Sequence, residues 1–345
     1  MAWEEWPITG GRATRGAGCV LARPDAERAR LRAAGAAVRA GAEASLTDAE
    51  RARVPAIVEG LAIDIERDLR LLILPRLDEE SEPEAAATMG SAAVPLAAPR
   101  VLGELPLHPG LLAAALQRAE CHRLARVGER APVPAESPAA AARMALILAE
   151  EARRDRWGEP SLHLDDLPAE AATDLVWSTA AALRAWLVAS GLAPARADAL
   201  AVDAGRARLA EYDEDRGLLA TANRSGRALP GGEPDAALLV GLAEAGELYA
   251  LTGALSRAAG LTAEQAWPLL AEPGEGRLAL LLRASGVERD AAAAITLRLL
   301  SAGDDPVAEM DALDRCSPEG ARAALAVLRH DPAYARAARA LGSGW

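Results

Sequence analysis

AALLVGLAEAGELYALTGALSRAAGLTAEQAWPLLAEPGEGRLALLLRASGVERDAAAAITLRLLSA, residues 236–302, is the stretch whose reading decides the fold. Leu238, Leu239, Leu242 and Ala245 recur at three- and four-residue spacing, one apolar face of a helix. Leu248, Leu251, Leu255 and Ala258 repeat the pattern one helix later. Gly260 stops that helix, because glycine tolerates the left-handed geometry of a C-terminal cap. Thr262 with Gln265 forms a capping box that starts the next. There Trp267, Leu269 and Leu270 make the apolar face, and Pro268 implies a kink or a short helix. Leu278 to Ser285 is a further helix, ended by Gly286. Glu288 to Ser301 follows, with Ile295, Leu299 and Ala302 along one side and Ala292 and Leu300 broadening it. Short links place such helices as antiparallel neighbours, and no one of them can bury its face alone.

Two more pieces carry the same style. They are LGELPLHPGLLAAALQRAECHRL, residues 102–124, and LAEEARRDRWGEPSLHLDDLPAEAATDLVWSTAAALR, residues 148–184. Together with the central stretch they resemble an alphaproteobacterial family of uncharacterised helical proteins, domain of unknown function 2336. The resemblance spans roughly residues 100–302. It implies an all-helical, repeat-like fold and brings no activity, cofactor or catalytic residue with it.

Outward from the centre, the expected architecture is all-α. It is an antiparallel helical array, HEAT-like or an α–α superhelix, without significant β-sheet. Residues 1–22 read as a flexible tail that lacks a hydrophobic signal core, with Trp3 and Trp6 as incidental or groove-anchoring aromatics. A helical lobe is expected over 23–134, and a helical-repeat lobe over 135–345 with its array core at 236–302. The first lobe contains a helix from about Asp25 to Arg39. A second runs from the Thr47–Glu50 capping box to about Leu77, and Pro55 is placed to split it. Val54, Ile57, Val58, Leu61, Ile65, Leu69, Leu72 and Ile73 form its wide apolar stripe. Asp64, Glu66, Arg67, Asp68 and Arg70 are expected to face water or pair locally. The Pro-rich run 129–138 ends in Ser137–Pro138, an N-cap pair for a helix reaching about Arg156. A helix from Pro168 to Ser190 and another from Pro194 to about Tyr212 follow. DEDRGLLATANRSGRALPGGEP, residues 213–234, reads as a polar turn and loop. Asp305–Pro306, Ser317–Pro318 and Asp331–Pro332 each start a short terminal helix.

Composition limits the chemistry. All 38 basic residues are arginine, so no lysine nucleophile, Schiff base or phosphate-loop lysine exists. The net charge of −12 disfavours nonspecific binding to nucleic acid, whose phosphates demand a positive surface. Cys19, Cys121 and Cys316 lie far apart without zinc or redox spacing, which fits a reduced, cytoplasmic compartment. The densest apolar run, Leu69–Leu77, is too short to span a membrane and carries Arg70, Pro75 and Arg76.

Few residues offer chemistry. Cys121 and His122 are adjacent on a helix and point about 100° apart. His163, Asp165 and Asp166 could start a metal shell but match no ligand spacing, and either aspartate reads more simply as a cap. Glu211, Asp213, Glu214, Asp215 and Gly217 resemble a calcium loop, yet the position needing a bidentate glutamate holds Arg224. His108 and His330 read as structural groups at helix ends. No cofactor, metal or catalytic residue is assigned. The expected function is a helical-repeat scaffold, more a binding protein than an enzyme, engaging a protein partner through Trp177, Trp186 and Trp267. The alternatives are a carboxylate- or metal-dependent enzyme built on Asp165, Asp166 or residues 211–215, and a nucleic-acid binder with an Arg-lined face.

Overall fold

The computed structural model describes residues 24–40, 48–77, 83–91, 94–125, 137–230, 235–271, 276–300, 305–330 and Tyr334. The tail, Thr47, the boundary near 134 and Asp331–Pro332 lie outside these. In chain order the helices are α1 (Pro24–Ala40), α2 (Asp48–Ile73), α3 (Pro83–Gly90), α4 (Ala98–Glu104), α5 (Pro109–Leu124), α6 (Pro138–Glu151), α7 (Ala169–Ala189) and α8 (Pro194–Ala210). They continue as α9 (Leu218–Ala228), α10 (Ala236–Ala245), α11 (Leu248–Ala259), α12 (Ala263–Ala271), α13 (Arg277–Ala284), α14 (Arg289–Leu299), α15 (Pro306–Arg315) and α16 (Pro318–Leu325). The class is all-α. Among the described residues the one β-type pairing is an isolated bridge between Arg154 and Pro160.

The chain forms two compact units that interleave in sequence. One takes residues 26–123 and 151–217; the other takes 124–150 and the described chain from 218 onward.

In the first unit α2 packs against α4, α7 and α8. Its stripe is buried from Val54 to Ile73, with Leu72 only partly covered. The helix continues unbroken through Pro55 and ends in a 3₁₀ turn, Leu74–Arg76. Proline removes one helical hydrogen bond, and the apolar stripe on both sides holds the helix together across the gap. Asp64 and Arg67 pair in the open at 2.9 Å, but Glu66 and Arg70 are buried. Glu66 accepts the backbone N–H groups of Leu96, Ala97 and Ala98 at 2.6–2.9 Å, which anchors the start of α4. Arg70 donates to the carbonyls of Thr88, Met89, Ser91 and Val94 and to Glu66 itself. A buried charge is tolerable only when its hydrogen-bonding capacity is filled. Here one ion pair on α2 fills it with backbone from the end of α3 and the stretch before α4.

In the second unit the expected helices of 236–302 form within a residue or two of the sequence reading. Gly260 and Gly286 cap with φ of +68° and +76°. Thr262 and Gln265 exchange both capping hydrogen bonds. Ser137, Asp305 and Ser317 cap α6, α15 and α16 through their side-chain oxygens. The segment 213–234, expected as loop, instead contains α9. Its buried face is Leu218, Thr221, Ala222, Ser225 and Gly226. These residues fall at helical spacing but most are small, and they let α9 and α11 approach until a Cβ on Gly226 would lie 2.0 Å from the Gly253 carbonyl oxygen. One on Gly253 would lie 2.2 Å from the Ala222 carbonyl oxygen. Elsewhere in this unit α10 packs on α14, and α13 on α15 and α16. Buried Glu309 of α15 accepts from Gly276 N at 3.0 Å and Ala279 N at 3.2 Å, so a carboxylate caps the positive end of α13. On α6 the buried side chains are Arg143 and Leu146, and Arg143 makes a two-pronged pair with buried Glu247.

Candidate functional site

Several polar residues singled out in the sequence meet in the first unit at a loop whose first residues, up to about Arg156, the sequence reading took for helix. α6 ends at Glu151, not near Arg156, because the next residues are drawn elsewhere. Arg153 is buried; its Nε lies 3.2 and 3.1 Å from the two Asp166 carboxylate oxygens. Its Nη2 donates to the Arg216 carbonyl at 3.0 Å. Arg118, buried on α5, donates to the Arg153 carbonyl at 2.6 Å and to the Ser161 carbonyl at 3.2 Å. These bonds fold residues 153–161 back on themselves. Ser161 N returns to Arg153 O at 3.0 Å, and Asp155 N to Glu159 O at 2.9 Å. Gly158 supplies the positive φ of +81° that the tip requires. The Asp155 carboxylate accepts from Trp157 N at 2.8 Å and Glu159 N at 2.9 Å, an aspartate turn closed twice.

The supposed metal and calcium residues brace this loop. Asp166 also accepts from His163 N at 2.8 Å. Asp165 accepts from Asp213 N at 3.0 Å, tying the 3₁₀ turn Leu164–Asp166 to the 3₁₀ turn Glu214–Arg216. Neither aspartate caps α7. Gly217 is there for close approach: a Cβ would lie 2.5 Å from the Asp165 carbonyl oxygen. Tyr212 donates to the Leu167 carbonyl at 2.7 Å. Burial first, then the Glu214 carboxylate, pushes its phenol up to about 12. His122 lies 3.8 Å from Glu159, which also faces Arg53 at 3.9 Å. Burial holds its imidazole below the usual value, Arg53 acts the same way, and Glu159 opposes both. Among the described residues no three His, Cys, Asp or Glu side chains gather where they could hold a metal ion.

At the tip stands Trp157, 76 % exposed, with the Arg156 guanidinium 4.9 Å from its ring centroid. No sequence signal singled it out, because exposure cannot be read from a residue thought to follow a helix end. The three tryptophans that were singled out lie differently. Trp267 is buried and stacks on Tyr249 at 5.8 Å between centroids. Trp177 and Trp186 are half-buried against the first unit's core, with Trp177 covering Gly205, where a Cβ would lie 2.7 Å from the indole. His108 Nδ1 accepts from Gly110 N at 3.0 Å at the start of α5, and His330 follows the closing 3₁₀ turn Ala326–Arg329.

No helix among the described residues is long and apolar enough to cross a membrane. No curated protein and no solved structure matches the chain. The model of one family does match, over residues 112–326, from α5 through α16 and thus more than half the chain. The chain therefore belongs to the bacterial family described as uncharacterised protein conserved in bacteria, DUF2336.

Proposed function

We propose that this protein is a helical scaffold that binds a protein partner in a reducing, cytoplasmic setting, and that Trp157 is a contact point. One observation carries the reading: an exposed tryptophan on a turn whose backbone is fixed by Asp155, Arg118 and Arg153. Tryptophan and arginine are the residues most enriched where binding energy concentrates, and a turn already ordered loses little entropy on docking. Trp177, Trp186 and Trp267 serve the cores and leave the contact role to Trp157. The net charge of −12 works against a phosphate backbone as the ligand.

The test is a photo-crosslinking amino acid placed at position 157, with position 267 as a buried control, in the full chain within its native cells. A discrete nuclease-resistant adduct from 157 and none from 267 is expected. Absence of any adduct from 157, or an adduct that vanishes with nuclease, would remove the reading.

A further inference from the structure

The loop's charges are almost all committed. Arg153 is held by Asp166, and Arg154 by Glu151 at 3.3 Å and by the Gly158 carbonyl at 3.1 Å. Asp155 is spent on backbone N–H groups, and Glu159 faces Arg53 and His122. Arg156 differs. Among the described residues it has no carboxylate within ion-pair distance, and its guanidinium lies over the Trp157 ring. A guanidinium lying on an indole is oriented by the ring quadrupole while its N–H edge stays outward. That edge matches the two oxygens of a carboxylate, and the exposed indole beside it matches an apolar side chain.

Resting on the scaffold reading, we propose that Arg156 and Trp157 form a recognition pair for a protein segment carrying an acidic residue next to an aliphatic or aromatic one. The carboxylate docks on Arg156 and the apolar neighbour on Trp157. A single carboxylate fits better than a run of phosphates, because the chain's net charge of −12 repels extended negative charge.

The experiment selects phage-displayed random peptides on the immobilised full chain, then measures a labelled consensus peptide by fluorescence anisotropy. Enrichment of Asp or Glu beside an apolar residue is expected. Arg156→Gln should weaken the consensus peptide about tenfold or more, the scale of a charge-assisted hydrogen bond. Arg156→Lys should restore part of the loss, since it keeps the charge without the planar fork. Replacing the peptide's acid with its amide should cost as much as Arg156→Gln, with no further loss when both changes are combined. Both residues are exposed, so thermal unfolding of the variants should match the parent. Selected peptides lacking an acid, indifference to Arg156→Gln, or Arg156-dependent binding of single-stranded oligothymidine in its place would each overturn the proposal. Crosslinking from position 157 that survives such an outcome leaves the scaffold reading standing, so the two failures are distinguishable.

Discussion

The α9–α11 crossing and the 153–166 loop solve one problem, holding backbone against backbone, by opposite means. The crossing uses the absence of side chains: Gly226 and Gly253 let two helices touch main chain to main chain. The loop uses the longest side chains available, with buried Arg118 and Arg153 reaching out to carbonyls. Contact by subtraction tolerates no addition, since close-packed interiors have nowhere to put a methyl group. Contact by arginine is a fixed set of donors whose loss leaves acceptors and a carboxylate unpaired. The first should fail through volume and the second through charge.

The most damaging change expected is Gly226→Val. It drives a branched side chain into the Gly253 carbonyl and should destabilise the second unit by about 4 kcal/mol, at the upper end for single substitutions. Denaturant unfolding monitored by hydrogen exchange in α9 and α11 would measure it; a loss under 1 kcal/mol would mean the helices part easily. Arg153→Met should cost about 3 kcal/mol, because Asp166 stays buried without its partner. The pair Arg153→Met with Asp166→Leu should recover much of that, whereas equal losses in both would place the cost in packing and erase the contrast. Glu309→Gln should cost roughly 1–2 kcal/mol, because the amide presents one acceptor where the carboxylate presented two to the start of α13. Protection lost at Gly276 and Ala279 would confirm the locus. The mildest effect concerns Tyr212. Folding raises its pKa from 10.0 to about 12, so the folded state keeps the phenolic proton longer. Its contribution is therefore complete below about pH 10 and is lost as the pH rises towards 12. Tyr212→Phe should flatten that alkaline decline in an unfolding series, and an unchanged decline would assign it to another group.

The contrast also explains what the sequence let a reader see. Residues 236–302 were legible because leucine at helical spacing, Gly260 and Thr262 are local signals, and each was honoured within its own helix. α9 was hidden because Thr221, Ser225 and Gly226 are small or polar and read as turn residues, although with Leu218 and Ala222 they recur at helical three- and four-residue spacing. Asp165 and Asp166 were noticed as a cluster, but their partners at Asp213 and Arg153 lie 48 and 13 residues away, beyond any local pattern. Trp157 was missed for the same reason: the helix before it stops where Arg153 turns inward, and the acceptor that turns it belongs to a later segment. The interleaving of the two units is likewise a property of pairings and not of any boundary along the chain.

The Arg143–Glu247 pair carries a consequence for synthesis. Arg143 leaves the ribosome 104 residues ahead of its partner, roughly 5–20 s at ordinary elongation rates. For that interval α6, whose outer surface includes Met144 and Leu148, stands without the carboxylate that will receive Arg143. An apolar residue at 143 would add one more sticky group beside Met144, Leu146, Ile147 and Leu148 for every nascent chain nearby. Arginine keeps the waiting helix hydrated and gives up its water when Glu247 arrives.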